Sequence, residues 1–264
     1  AALNTGVGMV RFNGKDDTLR TLMLGQNPET VCFTGPPAHE HVHAWAGGSG
    51  TGPETLDHNR YLLNAPEPAI LDAGAVDLAA DYLMAGHSLG EHKILTPHAG
   101  ELERFLRRIH EHSPQRWEEM LDGALVPSRE DINAEPFRWV RAACELSGAT
   151  VMLKGSTTLI AAPVGATYSV HGATGWLATA GSGDTLTGIL GALLAQYMAA
   201  AQERHEQVEG CTYASLAALA VYLHNRAALA SLDGYKGPVP PSRVAAYLPQ
   251  AIAELLDEKA VLDD

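Results

Sequence analysis

A run of small residues that ends in an acid, Gly181-Ser182-Gly183-Asp184, could bind an anion and move a proton. Leucine and isoleucine recur at helical spacing after Asp184, so a helix is predicted to begin here. The first turn of a helix has unpaired N–H groups, and small residues let a phosphate approach them. Asp184 beside a bound phosphate can accept a proton from a hydroxyl that is attacked or expelled. It is equally suited to capping the helix.

The strand candidate Val151–Lys154 ends in a lysine and a turn of small residues. The turn residues are Gly155, Ser156, Thr157 and Thr158. Such a turn can place Lys154 and the neighbouring hydroxyls and amides near the phosphates or ribose of a nucleotide. Many strands end in Lys-Gly turns, so this segment alone decides nothing.

A third segment, Thr96-Pro97-His98-Ala99-Gly100-Glu101, joins a strand to a helix. Pro97 stops the strand, and His98 and Glu101 belong to the first turn of the helix. Open α/β sheets bind ligands at the carboxyl ends of their strands, where this turn is expected to lie. Otherwise His98 is a polar loop residue and Glu101 a favourable first-turn acid.

The segment Gly47–Gly52 is rich in glycine and follows another strand candidate. It permits close approach of a ligand, or it is a plain tight turn. Asp72 ends a strand of buried type, and its charge implies a ligand or metal contact, or a cap for the helix that follows.

These residues must be positioned by alternating strands and helices, which predict a layered, mostly parallel α/β sheet. The strand candidates are Val7–Phe12, Val31–Thr34, Val42–Ala46, Ala69–Asp72, Lys93–Thr96, Val151–Lys154, Thr158–Ala162 and Thr167–His171. The helix candidates are Gly74–Ala85, Gly100–Ile109, Ala134–Leu146, Asp184–Ala201, Thr212–Leu229 and Pro241–Leu256. Only Pro163 to Ala166 separates the last two strands, so an antiparallel hairpin is expected there. The polar stretch His112–Glu135 looks like an insertion, in which Trp117 packs locally, as does Trp139 beyond it.

Bulk properties limit the possible functions. The chain has 264 residues, 46% hydrophobic and 19% charged, as in ordinary globular proteins. A net charge of −13 argues against nucleic-acid binding. The longest apolar stretch, Ile189 to Ala201, is too short for a membrane span and is interpreted as a buried helix; no signal peptide is recognisable. Three widely spaced cysteines favour buried, reduced thiols in a cytoplasmic protein. His39, His41 and His43 are interpreted as solvated strand residues rather than metal ligands.

Taken together, the segments resemble the NAD(P)H-hydrate dehydratase family of the ribokinase-like superfamily, in order and spacing, over most of the chain. The segments that match the family are Gly48–Gly52, Ile70–Ala73, Leu95–Leu106, Val151–Pro163 and Gly175–Gln196. The resemblance implies a three-layer α/β/α ribokinase-like fold with a mostly parallel central sheet and an antiparallel extension. It also implies one catalytic domain over residues 1–264, in which the family's first strand and its glycine-rich loop are expected but absent before Ala1.

The resemblance assigns roles residue by residue. Asp184 would be the catalytic base and would face the hydrated nicotinamide together with His98, Gly50 and Gly52. Glu101 would help to organise Mg²⁺. The adenine nucleotide would be held by Lys154, Gly155, Ser156, Thr157, Thr158, Gly181, Ser182 and Gly183.

The implied reaction is repair of hydrated NADH or NADPH, with ADP favoured over ATP as the co-substrate. The terminal phosphoryl group would be transferred to the C6 hydroxyl, and phosphate would then leave by elimination. The implied partners are an NAD(P)H-hydrate epimerase and further copies of this chain, as a homotetramer. Two rivals remain: a small-molecule kinase acting on a vitamin precursor or sugar, which more often has Asn at position 98, and a nucleotide-binding module without catalysis.

Overall fold

The computed structural model describes residues 1–14, 16–50 and 56–262. The ten helices of these ranges are α1 (Asp17–Gln26), α2 (Leu56–Asn64), α3 (Gly74–Met84), α4 (Ala99–His112), α5 (Pro114–Leu121), α6 (Arg129–Ala134), α7 (Pro136–Ser147), α8 (Ser182–Arg204), α9 (Gly210–Ser231) and α10 (Pro241–Leu262). The eight strands are β1 (Arg11–Asn13), β2 (Val31–Phe33), β3 (Trp45–Gly47), β4 (Ala69–Leu71), β5 (Lys93–Leu95), β6 (Thr150–Leu153), β7 (Thr158–Ala161) and β8 (Thr167–Val170). None of these helices is long and apolar enough to cross a membrane.

The main sheet contains six strands in the order β3-β4-β5-β6-β7-β8. The first four are parallel, and β7 and β8 add to β6 as an antiparallel hairpin. The predicted mostly parallel sheet with an antiparallel extension is therefore confirmed. Helices connect the parallel strands, so the carboxyl ends of β3 to β6 meet at one edge of the sheet.

Helices cover both faces of the main sheet, because its central strands are apolar on both sides. Ile70, Ile94 and Met152 are fully buried against α8, α9 and α10. Leu71 and Leu95, the next residues along β4 and β5, point to the opposite core, which α2 to α7 complete. The three layers of the predicted α/β/α fold follow from this alternation.

Two predicted strands lie outside the main sheet. The structure places β1 and β2 in a separate parallel pair, in the register Arg11–Val31 to Asn13–Phe33. Their side chains are exposed or half-buried, so this pair lacks the two buried faces of the central strands. The strand predicted over Val42–Ala46 instead spans Trp45–Gly47. Its pairing with β4 starts at Trp45 opposite Ala69, because β4 itself begins at Ala69, after Pro68. The prediction that His39–His43 forms a strand is therefore wrong.

The insertion predicted at His112–Glu135 forms α5 and α6, which pack on α4 and α7. Trp117 is 2% exposed and donates from Nε1 to the carbonyl oxygen of Ala124 at 2.7 Å, and Trp139 is 4% exposed. Local packing of both tryptophans is confirmed. All three cysteines are free thiols, but only Cys144 is buried; Cys32 and Cys211 are partly exposed, which corrects the expectation of burial for those two.

Candidate active site at the carboxyl edge of the sheet

Asp72 lies at the centre of the residues that the carboxyl edge brings together. Its side chain is 4% exposed, and Oδ1 accepts hydrogen bonds from Lys154 Nζ at 2.6 Å and from Thr96 Oγ1 at 2.8 Å. Thr187 Oγ1 donates to Oδ2 at 3.3 Å. A buried carboxylate needs this compensation, because desolvation of an unpaired charge is costly. Asp72 therefore fixes the ends of β5 and β6 against the first turns of α8.

The glycine-rich segment after β3 makes a turn over the carboxyl end of β4. Gly48 has φ +112°, and a Cβ at this position would lie 1.8 Å from the carbonyl oxygen of Asp72. Any side chain at position 48 would therefore collide with the backbone that carries Asp72. The turn brings Ser49 to Asp184, where the serine hydroxyl donates to Oδ1 of the carboxylate. Gly50 has φ +62° with open space around its missing side chain.

The glycine-rich start of α8 exposes backbone amides next to a lysine. Gly181 has φ +86° and precedes the helix, and no side chain of the described residues caps its first turn. A Cβ on Gly183 would lie 3.5 Å from Lys154 Nζ and 4.0 Å from Asp72 Oδ2. Unpaired N–H groups, the helix dipole and an ammonium group are thus adjacent, an arrangement that attracts phosphate. Asp184 follows in the same turn and is exposed to solvent.

Ser182 lies on the buried side of this turn, next to His224 of α9. Ser182 is 9% exposed, and its Oγ lies 3.5 Å from Nε2 of His224 on α9. Burial lowers the pKa of His224 to about 4, so the imidazole is neutral at pH 7. The helix terminus therefore provides the positive potential here, next to Lys154, whose charge is partly offset by Asp72, and Ser182 faces inward.

His98 and Glu101 form a reciprocal capping box at the start of α4. His98 Nδ1 accepts from the amides of Gly100 and Glu101 at 3.1 and 3.2 Å, and Glu101 Oε2 accepts from the His98 amide at 2.8 Å. Because Nδ1 is an acceptor, the proton of the neutral ring is on Nε2. The His98 side chain is 56% exposed, so Nε2–H is available to donate to a ligand. The capping role does not exclude a ligand role for His98.

The turn after β6 lies directly beside His98. The Lys154 amide donates to the carbonyl oxygen of Pro97 at 2.8 Å, and residues 98 and 154 form an isolated parallel bridge. Gly155, Ser156 and Thr157 are exposed at the tip of this turn. Thr158 is 5% exposed, and its hydroxyl turns back towards the Gly155 carbonyl oxygen at 3.5 Å. The exposed part of the predicted nucleotide segment is therefore residues 155–157, and Lys154 beside them is half-buried.

The structure thus brings most of the predicted site residues to one edge. The predicted residues at this edge are Gly50, His98, Glu101, Lys154, Gly155, Gly181, Gly183 and Asp184. Ser182 and Thr158 are buried beside them. Gly52 lies outside the described residues. Sequence reasoning left Asp72 open between a ligand contact and a helix cap; its side chain instead anchors Lys154. Ser49, Thr96 and Thr187 were missed. Thr187 could have been found, since it lies one helical turn after Gly183.

The described residues contain no group of three His, Cys, Asp or Glu side chains placed to hold a metal ion. Magnesium does not need such a group, because it usually keeps several waters and binds to one or two carboxylates together with substrate phosphates. Glu101 is 8% exposed, Oε2 is engaged by the His98 amide, and Oε1 lies 3.6 Å from His98 Nε2. The site therefore fits a magnesium ion held largely by nucleotide and water, with the edge carboxylates as outer partners.

Comparison with solved structures shows that known proteins share the fold of this chain. A ribokinase-like superfamily protein from Enterococcus faecalis superposes with a TM-score of 0.72 at 20% identity, over 96% of this chain and 79% of that one. The ADP/ATP-dependent NAD(P)H-hydrate dehydratase from Bacillus subtilis, co-crystallised with ATP and Mg²⁺, gives 0.72 at 23% identity, over 96% and 81%. At these identities the likeness establishes the fold.

Sequence comparison establishes the family. The model of the NAD(P)H-hydrate dehydratase family matches residues 1–250, and the chain belongs to that family. It is 31% identical over 260 residues to the bifunctional NAD(P)H-hydrate repair enzyme of Mycobacterium leprae, which covers 97% of this chain and 47% of that protein. It is 33% identical over 204 residues to the ADP-dependent (S)-NAD(P)H-hydrate dehydratase of Neisseria meningitidis, covering 74% and 62%. The chain spans less than half the length of the bifunctional relatives it matches.

Proposed function

We propose that this chain converts hydrated NADH or NADPH back to the reduced dinucleotide, at the expense of an adenine nucleotide. The observation that carries the proposal is the position of Asp184. Its exposed carboxylate is on the uncapped first turn of α8, one residue after Gly183, which lies beside Lys154 Nζ. A site for a transferable phosphate and a proton acceptor are thus adjacent.

The reaction has two chemical steps. Asp184 accepts the proton of the C6 hydroxyl as its oxygen attacks the terminal phosphoryl group of the nucleotide. The phosphoanhydride bond breaks, and the α8 amides and Lys154 bind the equatorial oxygens of the group in transfer. In the second step the C6–O bond breaks and inorganic phosphate leaves, while the neighbouring ring carbon gives its proton to the departing phosphate and a double bond forms between the two ring carbons. Phosphorylation thereby turns a poor leaving group into a good one.

The remaining side chains bind and orient the reactants. Nε2–H of His98 donates to the substrate side, and Ser49 holds Asp184 in place through its hydroxyl. The exposed residues 155–157 bind the nucleotide. A magnesium ion, when bound, would neutralise the phosphate charge. Glu101 is the carboxylate that would orient the water ligands of this ion.

Three finer assignments belong to the same proposal. ADP is the preferred co-substrate, in keeping with the ADP-dependent relative from Neisseria. The functional partner is an NAD(P)H-hydrate epimerase activity, in keeping with relatives described as bifunctional repair enzymes. The working unit is a homo-oligomer, expected to be a tetramer.

The test is an incubation with hydrated NADH, Mg²⁺ and either ADP or ATP, followed by the absorbance of reduced nicotinamide. We expect recovery of that band with release of one phosphate per dinucleotide, and a faster rate with ADP. Asp184→Asn should reduce the rate by roughly two to four orders of magnitude and leave nucleotide affinity unchanged. Asp257→Asn, which changes an exposed carboxylate of α10, is the matched control.

Three outcomes would contradict the proposal or part of it. Absence of recovery with both nucleotides would exclude the dehydratase reaction. Accumulation of a stable phosphorylated product from a vitamin precursor or sugar would support a small-molecule kinase instead. Full activity of Asp184→Asn would remove the assigned role of its carboxylate.

A further inference from the structure

A cavity of about 420 Å³ lies between the turn that follows β2 and the first two turns of α2. Residues 34–38 form one wall, and Asp57, His58 and Tyr61 form the other. The volume falls within the range of pockets that hold small organic ligands. Neither Asp184 nor any residue of the nucleotide segment lines it.

The cavity is on the same edge of the sheet as the active site. Helix α2 joins the carboxyl end of β3 to the amino end of β4, which runs parallel to β3, so α2 begins at the site edge. Helix α2 packs closely on the glycine turn. A Cβ added to Gly47 would lie 2.8 Å from Asn59 Oδ1 and 2.5 Å from Leu62 Cδ1. Ser49, two residues further on, contacts Asp184. The glycine turn therefore contacts both α2 and the proposed catalytic carboxylate.

The walls offer flat apolar surfaces. Pro36 and Pro37 line the cavity from the turn after β2, and Tyr61 lines it from α2. The Tyr61 ring is held edge-on by Trp45, with ring centroids 5.7 Å apart. Trp45 is itself fixed by a hydrogen bond from Nε1 to Glu67 at 3.1 Å. A rigid aromatic wall opposite proline rings suits a planar heterocycle, because stacking then costs little side-chain entropy.

The charges of the cavity select the kind of heterocycle. No lysine or arginine is among the described residues that line it, and Asp57 places a largely exposed carboxylate at its rim. Arg60 lies beside this carboxylate, with Nη1 3.4 Å from Asp57 Oδ1. An amino group on a neutral ring can donate to Asp57. Adenine has such a group.

We propose that this cavity binds the adenine ring of the dinucleotide substrate, an inference that rests on the proposed function. A dinucleotide has two bases, and only the nicotinamide has to reach Asp184. The adenine half can then lie across the glycine turn, with its ring between Tyr61 and the prolines and its amino group towards Asp57. The adenine of the co-substrate ADP binds elsewhere, at the turn of Lys154.

Binding without turnover tests the inference. Protein saturated with Mg²⁺ and ADP is titrated with NADH, which is not hydrated and does not react, and with reduced nicotinamide mononucleotide, which lacks adenine. We expect NADH to bind more tightly, and Tyr61→Ala to weaken NADH binding about tenfold while leaving the mononucleotide unchanged. Tyr61→Phe keeps the ring and should resemble the parent protein.

A second variant distinguishes a loss of the binding site from misfolding of Tyr61→Ala. Ala38 is exposed and lines the cavity, so Ala38→Trp fills the space without removing a packed side chain, and it should also weaken NADH binding alone. Tyr235→Ala changes a 78% exposed tyrosine and is the control. Equal affinity for the two ligands, or parallel losses in both, would overturn the adenine site. Selective NADH binding without conversion of hydrated NADH would instead leave the adenine site standing and refute the dehydratase reaction.

Discussion

Lys93 is a buried lysine whose charge should make the stability of the protein depend on pH. The residue is 1% exposed at the start of β5, and Nζ donates to the carbonyl oxygens of Ala65 at 2.5 Å and Glu67 at 3.0 Å. Burial lowers its pKa from 10.5 to about 8, and the charge of Glu67 opposes only part of this effect. At about 1.4 kcal/mol for each pH unit, the charged form of Lys93 is disfavoured in the folded protein by about 3 kcal/mol.

The sign follows from the protons that each state binds. Between pH 8 and pH 10.5 the unfolded chain holds the proton on Lys93 and the folded chain releases it, so the free energy of unfolding rises with pH. Below pH 8 the full penalty is present, and above pH 10.5 it is gone. Relative to Lys93→Met, the parent protein should gain about 1 kcal/mol between pH 7 and pH 9, and about 2 to 3 kcal/mol by pH 10.

Urea unfolding of both proteins at pH 7, 8, 9 and 10, followed by tryptophan fluorescence, measures this difference. Comparing the two proteins cancels the titration of other groups. The carbonyl oxygens that Lys93→Met leaves unpaired add a cost that does not change with pH. Lys236→Met, at an exposed lysine, should show no pH-dependent difference from the parent protein. A difference for Lys93→Met that stays constant, or that shrinks as the pH rises, would refute the reasoning.

Two further expectations concern other positions. Gly48→Ala should destabilise the protein by more than about 3 kcal/mol or prevent folding, because the new Cβ meets the Asp72 carbonyl oxygen at 1.8 Å; Gly50→Ala, with positive φ but open space, should lose only about 1 kcal/mol in the same urea titration. Burial raises the pKa of Cys144 to about 12, so iodoacetamide at pH 8 should label Cys32 and Cys211 in the folded protein and Cys144 only after unfolding, as read by mass spectrometry. Labelling of Cys144 at the rate of the other two would show that its side chain is accessible.

Much of the central fold could be predicted because its signals are local. The runs around Ile70, Ile94 and Met152 are apolar on both faces, and the leucines after Asp184 follow the helical period. Helices α1 and α2 were not predicted from the sequence. All described side chains of α1 are exposed or half-buried, and its one clear signal is Asp16, which accepts from the Thr18 amide at 2.7 Å as an N-cap.

The candidate site could be predicted only in part, because sequence reveals residue types but not their partners. Glycines followed by an acid indicated the start of α8, and Pro97 indicated the turn of His98. The pairing of Asp72 with Lys154 spans 82 positions of the chain and has no local signal. Nor could the sequence show that Ser182 and Thr158 turn inward while their neighbours stay exposed, since that depends on how α9 and the β6–β7 turn pack.

Asp72 has a consequence for how the site can change over generations. The Asp72 carboxylate accepts hydrogen bonds from the residues that follow β5 and β6 and from Thr187 of α8, so replacement of any one donor alters what the others contribute. Substitutions at positions 72, 96, 154 and 187 should therefore be epistatic, each tolerated or harmful according to the state of the other three. Homologues in which Lys154 is replaced are expected to have an uncharged residue at position 72 as well, since an unpaired carboxylate buried there would not be solvated.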